Sequence, residues 1–120
     1  MQELRFESSR GGVPPVSLSQ AMENGLAPDG GLYVPTRLPS VDIGALGGAL
    51  DLPSVARGAL AGFFAGDRLQ GQLGAIADAA LSVPAPTTPV GGAKDSLSVL
   101  ELYHGPTAAF KDFGDRKSVV

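Results

Sequence analysis

Hydrophobic and polar positions alternate in two stretches of the chain and recur at helical spacing in three others. Leu4-Arg5-Phe6-Glu7 alternates and predicts a short strand, with 8–12 as the turn that leaves it. Ser96 to Tyr103 alternates as well: Leu97, Val99 and Glu101 take one face, Ser98, Leu100 and Leu102 the other. Its Val and Tyr content predicts a strand buried on both faces for part of its length. Between these lie the helical patterns. Ser17-Leu18-Ser19-Gln20 has the form of a capping box, with Val16 and Ala21 as its apolar staple and Gly25 as the stop after Asn24. A second helix is predicted from Pro53 through Val55, Ala59, Leu60, Phe63 and Phe64, stopped by Gly66. Asp67 then caps a third, whose apolar stripe is Leu69, Leu73, Ile76, Ala77, Ala80 and Leu81.

The remaining segments are punctuated rather than periodic. Asp29-Gly30-Gly31 predicts a turn feeding the short strand Leu32-Tyr33-Val34, which Pro35 ends; an aspartate before two glycines is a turn former, not a catalytic acid. A short irregular helix is predicted near Val41-Asp42-Ile43 in a glycine-rich stretch, and 83–95, with Pro84, Pro86, Pro89 and Gly91-Gly92, reads as a connector. The sum is a mixed α/β arrangement of short strands and about four helices.

Composition narrows the class. The chain of 120 residues is one domain's worth, with 43% hydrophobic and 18% charged residues, so it is neither disordered nor fibrous. A net charge of −3 argues against nucleic acid or an anionic membrane surface as partner. There is no cysteine, hence no disulfide and no thiolate metal site. The N-terminus lacks an apolar signal core and no run is long enough to span a bilayer, so the expected location is cytoplasmic. The single histidine, His104, has no ligand spacing around it, and no metal is expected.

The candidate chemistry lies in Tyr103-His104-Gly105-Pro106-Thr107-Ala108-Ala109-Phe110-Lys111-Asp112-Phe113-Gly114. Gly105-Pro106 breaks the strand, and Thr107 is placed to cap a helix whose first turn is Ala108 to Lys111. A lysine in a first helical turn, among Ala109, Phe110 and Phe113, meets the positive end of the macrodipole and apolar surroundings. Both favour the neutral amine that a nucleophilic or imine-forming lysine needs. The alternative from spacing alone is a solvated Lys111–Asp112 pair at an ordinary helix start.

The segment 104–114 resembles the pyridoxal-phosphate attachment segment of the threonine synthase family, and Leu26 to Pro35 is similar to that family's N-terminal signature. The resemblance runs from about Leu4 to Gly114 and implies part of a fold-type II enzyme dependent on pyridoxal 5'-phosphate. It implies that residues 1–95 form the N-terminal domain and that 96–114 open the catalytic domain. It further implies that Lys111 is the catalytic residue and holds the cofactor as a Schiff base. The small-molecule substrate it implies is O-phospho-L-homoserine, converted with water to L-threonine and phosphate in threonine biosynthesis. The alternatives are a non-catalytic scaffold domain, or another lyase of the same fold group such as a serine/threonine dehydratase; the signature at 26–35 argues against the latter.

After Gly114 the chain departs from the family pattern. Asp115-Arg116-Lys117-Ser118-Val119-Val120 places Lys117 where an apolar helix position is expected, and the hexapeptide is what a common sequencing adapter encodes in frame. Residues 115–120 therefore read as a non-native tail, and the chain as an N-terminal fragment that is inactive alone.

Overall fold

The computed structural model describes residues 2–48, 51–91 and 96–114. It holds the expected mixture of helices and short strands, with two separate two-stranded antiparallel sheets. The tail at 115–120 lies outside the described residues, as do Lys94 and the end of the connector it belongs to.

Strand β1 (Phe6–Ser8) pairs with β2 (Tyr33–Pro35), Phe6 opposite Pro35 and Ser8 opposite Tyr33. The predicted alternation is real but shifted: Leu4 lies before the strand and is the most deeply buried side chain, 1% exposed. Phe6 also exchanges two backbone bonds with Val16, each 2.8 Å, which brings the chain into α1 (Leu18–Asn24). The capping box forms as predicted: the Ser17 hydroxyl accepts from the Gln20 amide at 3.2 Å, and Ser17 N–H donates to Gln20 Oε1 at 3.1 Å. Gly25 ends the helix at φ 71°, a region that disfavours a side chain.

Helix α2 (Ile43–Leu46) is a single turn capped by Asp42, and α3 (Leu52–Phe64) is capped by Asp51, with Pro53 in its first turn. The helix predicted from Asp67 is instead two pieces, a 3-10 turn (Gln70–Gln72) and then α4 (Leu73–Ala80). Asp67 explains the delay. Its Oδ1 accepts from Leu69 N–H at 2.8 Å, while Oδ2 turns away to accept from the Ser19 N–H and hydroxyl, 3.0 Å each. One buried carboxylate thus joins the start of α1 to the link between α3 and α4. Burial pushes its pKa up, but the bonds from Ser19 and Leu69 outweigh that and hold it below its ordinary value.

The core is formed by Leu4, Phe6, Leu18, Ala21, Phe64 and Leu73, with Val16, Tyr33, Phe63 and Leu69 packed against it. The predicted staple residues, Val16 and Ala21, both belong to this cluster. The helical stripes are narrower than predicted: Ala56 and Phe64 of α3, and Leu73 and Ala77 of α4, are buried, while Val55, Leu60 and Ile76 are exposed. The two helices pack on each other, and α2 packs on α3, with Leu46 against Gly58.

The connector contains an unpredicted strand, β3 (Thr87–Pro89), paired with β4 (Ser98–Leu100) in the register Thr87–Leu100, Thr88–Val99 and Pro89–Ser98. Here the structure corrects the expected buried strand over 96–103. Only three of its residues enter the ladder and all are exposed. Leu97 is 63% and Leu100 55% exposed: the pair borders an open groove rather than a packed layer. No helix among the described residues is long and apolar enough to cross a membrane.

Candidate active site

The chain leaves β4 through Glu101, Leu102 and Tyr103 and reaches the segment singled out for its chemistry. The alternation predicted there sets two faces. On one, Glu101 meets its diagonal neighbour Thr88, which lies directly opposite Val99; its carboxylate accepts from the Thr88 hydroxyl, the Tyr103 hydroxyl and, at 3.1 Å, the His104 ring Nε2. The Tyr103 and His104 rings lie 4.6 Å apart, centroid to centroid. The bonds from Thr88, Tyr103 and His104, in that order of weight, hold the Glu101 carboxyl down at about 2, and the same contact raises the Tyr103 phenol. Single-residue inspection missed this cluster, since it needs β3, which the prolines concealed; the register of the two strands is the signal that finds it. His104 is committed to Glu101, and no contact joins it to Lys111.

On the other face, Leu100 and Leu102 line an open groove of about 840 Å³ with Leu52, Leu81, Val83 and Phe113. Leu102 and Phe113 also belong to an adjoining cleft of about 440 Å³, whose other walls are Phe110, Lys111 and Gly114. Lys111 is thus where the sequence puts it in relation to aromatic neighbours, opening onto an apolar cleft.

Its local setting differs from expectation. Phe110–Phe113 is a 3-10 turn, not the first turn of an α-helix, and it begins at Ala109 without a side-chain cap. Such a turn is too short to build a macrodipole, and Lys111 is exposed rather than desolvated. Thr107 does not cap the turn's start; its N–H and hydroxyl both donate to Asp112 Oδ2, at 3.1 and 2.8 Å. Asp112 is buried at 8% exposure, so the two members of the Lys111–Asp112 pair part company: the carboxylate turns inward and the amine outward. Among the described residues no carboxylate pairs with Lys111, and no group of His, Asp or Glu is arranged to hold a metal.

Asp29 is the turn former it was read to be. Its Oδ1 accepts from Ser8 Oγ at 2.7 Å and Gly31 N–H at 2.9 Å, and its Oδ2 from Gly12 N–H at 2.9 Å. The Ser8 bond, then the Gly31 one, lowers its pKa. These bonds lock the turn ahead of β2 onto the end of β1.

The family model described as "Threonine synthase N terminus" matches residues 5–81. The chain belongs to that family. Its relatives include the threonine synthase of Haemophilus influenzae, 39% identical over 103 residues, which are 84% of this chain and 23% of the relative. Over 103 residues it is also 40% identical to the threonine synthase of Escherichia coli, again 84% of this chain and 23% of that protein. The crystal structure of PLP-bound threonine synthase from Brucella melitensis superposes with a TM-score of 0.76 at 34% identity, covering 91% of this chain and 24% of that one. This threonine synthase family member thus spans about a quarter of the length of the relatives it matches.

Proposed function

We propose that the protein is a cytoplasmic threonine synthase, a pyridoxal-phosphate-dependent lyase converting O-phospho-L-homoserine and water to L-threonine and phosphate. In this reading Lys111 anchors the cofactor. Residues 1–95 form the N-terminal domain, and 96–114 open the catalytic one. The observation that carries the reading is Lys111 itself: a primary amine without an ionic partner among the described residues, opening on a cleft walled by Phe110, Phe113 and Leu102. That donor set fits the cofactor's aldehyde and ring, as an amine can attach the one and apolar walls can flank the other. No second cation among the described residues lines the cleft. The 120 residues alone are therefore expected to be inactive.

Bound there, pyridoxal phosphate supplies an electron sink for carbanion chemistry beside the substrate's amino group. The chain's own part is narrower. Lys111 Nζ would hold the cofactor and would move protons at the substrate's α and β carbons. Phe110 and Phe113 flank Nζ as walls of the cleft. The likeness to a PLP-bound threonine synthase supports this assignment.

The test uses the protein as its gene encodes it. It is expected to be yellow, and borohydride is expected to fix the cofactor on the peptide containing Lys111. Lys111→Ala removes that label and nearly all turnover, and Lys111→Arg does no better, since a guanidinium stays charged. A label on Lys94 or on another lysine, with Lys111 free, would sink the assignment.

A further inference from the structure

Within 105–114 nearly every side chain is exposed or half-exposed, and Asp112 is the buried exception. Its Oδ2 takes both donors of Thr107, and its carboxylate packs so closely on Gly105 that a Cβ there would run into it. The loop is thereby drawn onto the turn from both ends. Between them Ala108 sits at φ 56°, the one residue other than glycine with positive φ among the described residues. An L-residue adopts that conformation at a cost and keeps it only where its surroundings over-determine it. The Thr107–Asp112 contact, with the Ala108 N–H donating to Gly105 C=O at 3.0 Å, is what does so.

The geometry of a 3-10 turn gives this clamp a direction. At three residues per turn, successive side chains point about 120° apart and residues three apart eclipse. Phe110 and Phe113 therefore share one side. With Asp112 pinned inward, Lys111 is carried to the rim that both rings line.

We infer that Asp112 is a positioning residue: by clamping Thr107 and Gly105 it holds the strained turn that presents Lys111 to the cleft. The inference rests on Lys111 being the cofactor anchor. The carboxylate acts as a hydrogen-bond acceptor toward Thr107 and is not among the residues that line the cleft.

Four variants of the gene-encoded protein test it: Asp112→Ala, Asp112→Asn, Thr107→Val and Thr107→Ser. Two readouts besides turnover are taken: the cofactor fixed by borohydride on Lys111, and the pH midpoint of the bound cofactor's visible absorption. Asp112→Ala and Thr107→Val are expected to lower Lys111 labelling by about tenfold at limiting cofactor, the effect of losing one or two hydrogen bonds to a buried carboxylate. They are also expected to move the absorption midpoint while leaving circular dichroism unchanged. Asp112→Asn and Thr107→Ser keep the acceptor or the donor and stay within about threefold of the unsubstituted protein, because geometry rather than charge is preserved. Unsubstituted-like labelling and midpoint in Asp112→Ala would overturn the role of Asp112 while leaving Lys111 in place. Should Asp112→Ala not fold, Thr107→Val decides in the same way. Absence of label on Lys111 in the unsubstituted protein overturns the anchor, and the role of Asp112 with it.

Discussion

The two antiparallel pairs of this chain are equally short and have opposite surroundings. In β1–β2, Phe6 and Ser8 are buried, Phe6 in the main cluster and Ser8 under the Asp29 turn. In β3–β4 all six residues are exposed, and the contacts that hold it beyond the ladder are polar, from Thr88, Tyr103 and His104 to Glu101. A ladder of three residues is marginal by itself; what covers it decides whether it contributes to global stability. The first pair is part of a core, and the second is a platform that carries the Lys111 turn on one end.

The largest expected effect tests that division. Leu4→Ala removes the most deeply buried side chain and is expected to destabilise by about 2–5 kcal/mol in chemical denaturation. Leu100→Ala, the same change on the exposed pair, is expected to stay within about 0.5 kcal/mol. Equal losses would break the comparison.

A smaller effect separates polar contacts inside the core from those on the platform. Asp67→Ala leaves Ser19 without its buried acceptor and is expected to cost about 1–3 kcal/mol. Because the folded Asp67 pKa lies below its ordinary 3.8, its contribution is fully present above that value and is lost as pH falls through the folded pKa. Acid melts are expected to show this loss below about pH 3.8, and Asp67→Asn to flatten it. The folded Glu101 carboxyl is held at about 2 against an ordinary 4.5, so its contribution is also lost in acid, but on the exposed pair solvent screens it, and Glu101→Gln is expected to change the same melts less than Asp67→Asn does. At α1, Ser17→Ala is expected to cost about 1 kcal/mol, measured by the same denaturation.

Local chemistry was legible in the sequence where one residue type has one physical use. The capping box at Ser17, the stop at Gly25, the turn at Asp29 and the helix starting about Pro53 are all where the pattern puts them. Features set by partners distant in the chain were not. The stripe on α3 overstates burial at Val55 and Leu60, since amphipathic spacing shows which side is apolar and not whether anything lies against it. β3 was hidden by Pro86 and Pro89, which remove donors without preventing a short edge ladder. At the candidate site, the sequence placed Lys111 after the Gly105-Pro106 break and among aromatic residues. It could not show that the hydroxyl of Thr107 would bond forward to Asp112 rather than cap a helix, because the two motifs share the same letters.

The exposed pair also has two unlike borders. β3 carries Pro89 within it and Pro86 just before it, and proline offers no N–H to an incoming chain. β4 has no such guard: Leu97, Val99 and Leu100 are exposed along a strand that pairs only with β3 among the described residues. Any strand pairing by this chain at high concentration is therefore expected to run through β4, and Ser98→Lys or Ser98→Pro is expected to suppress it.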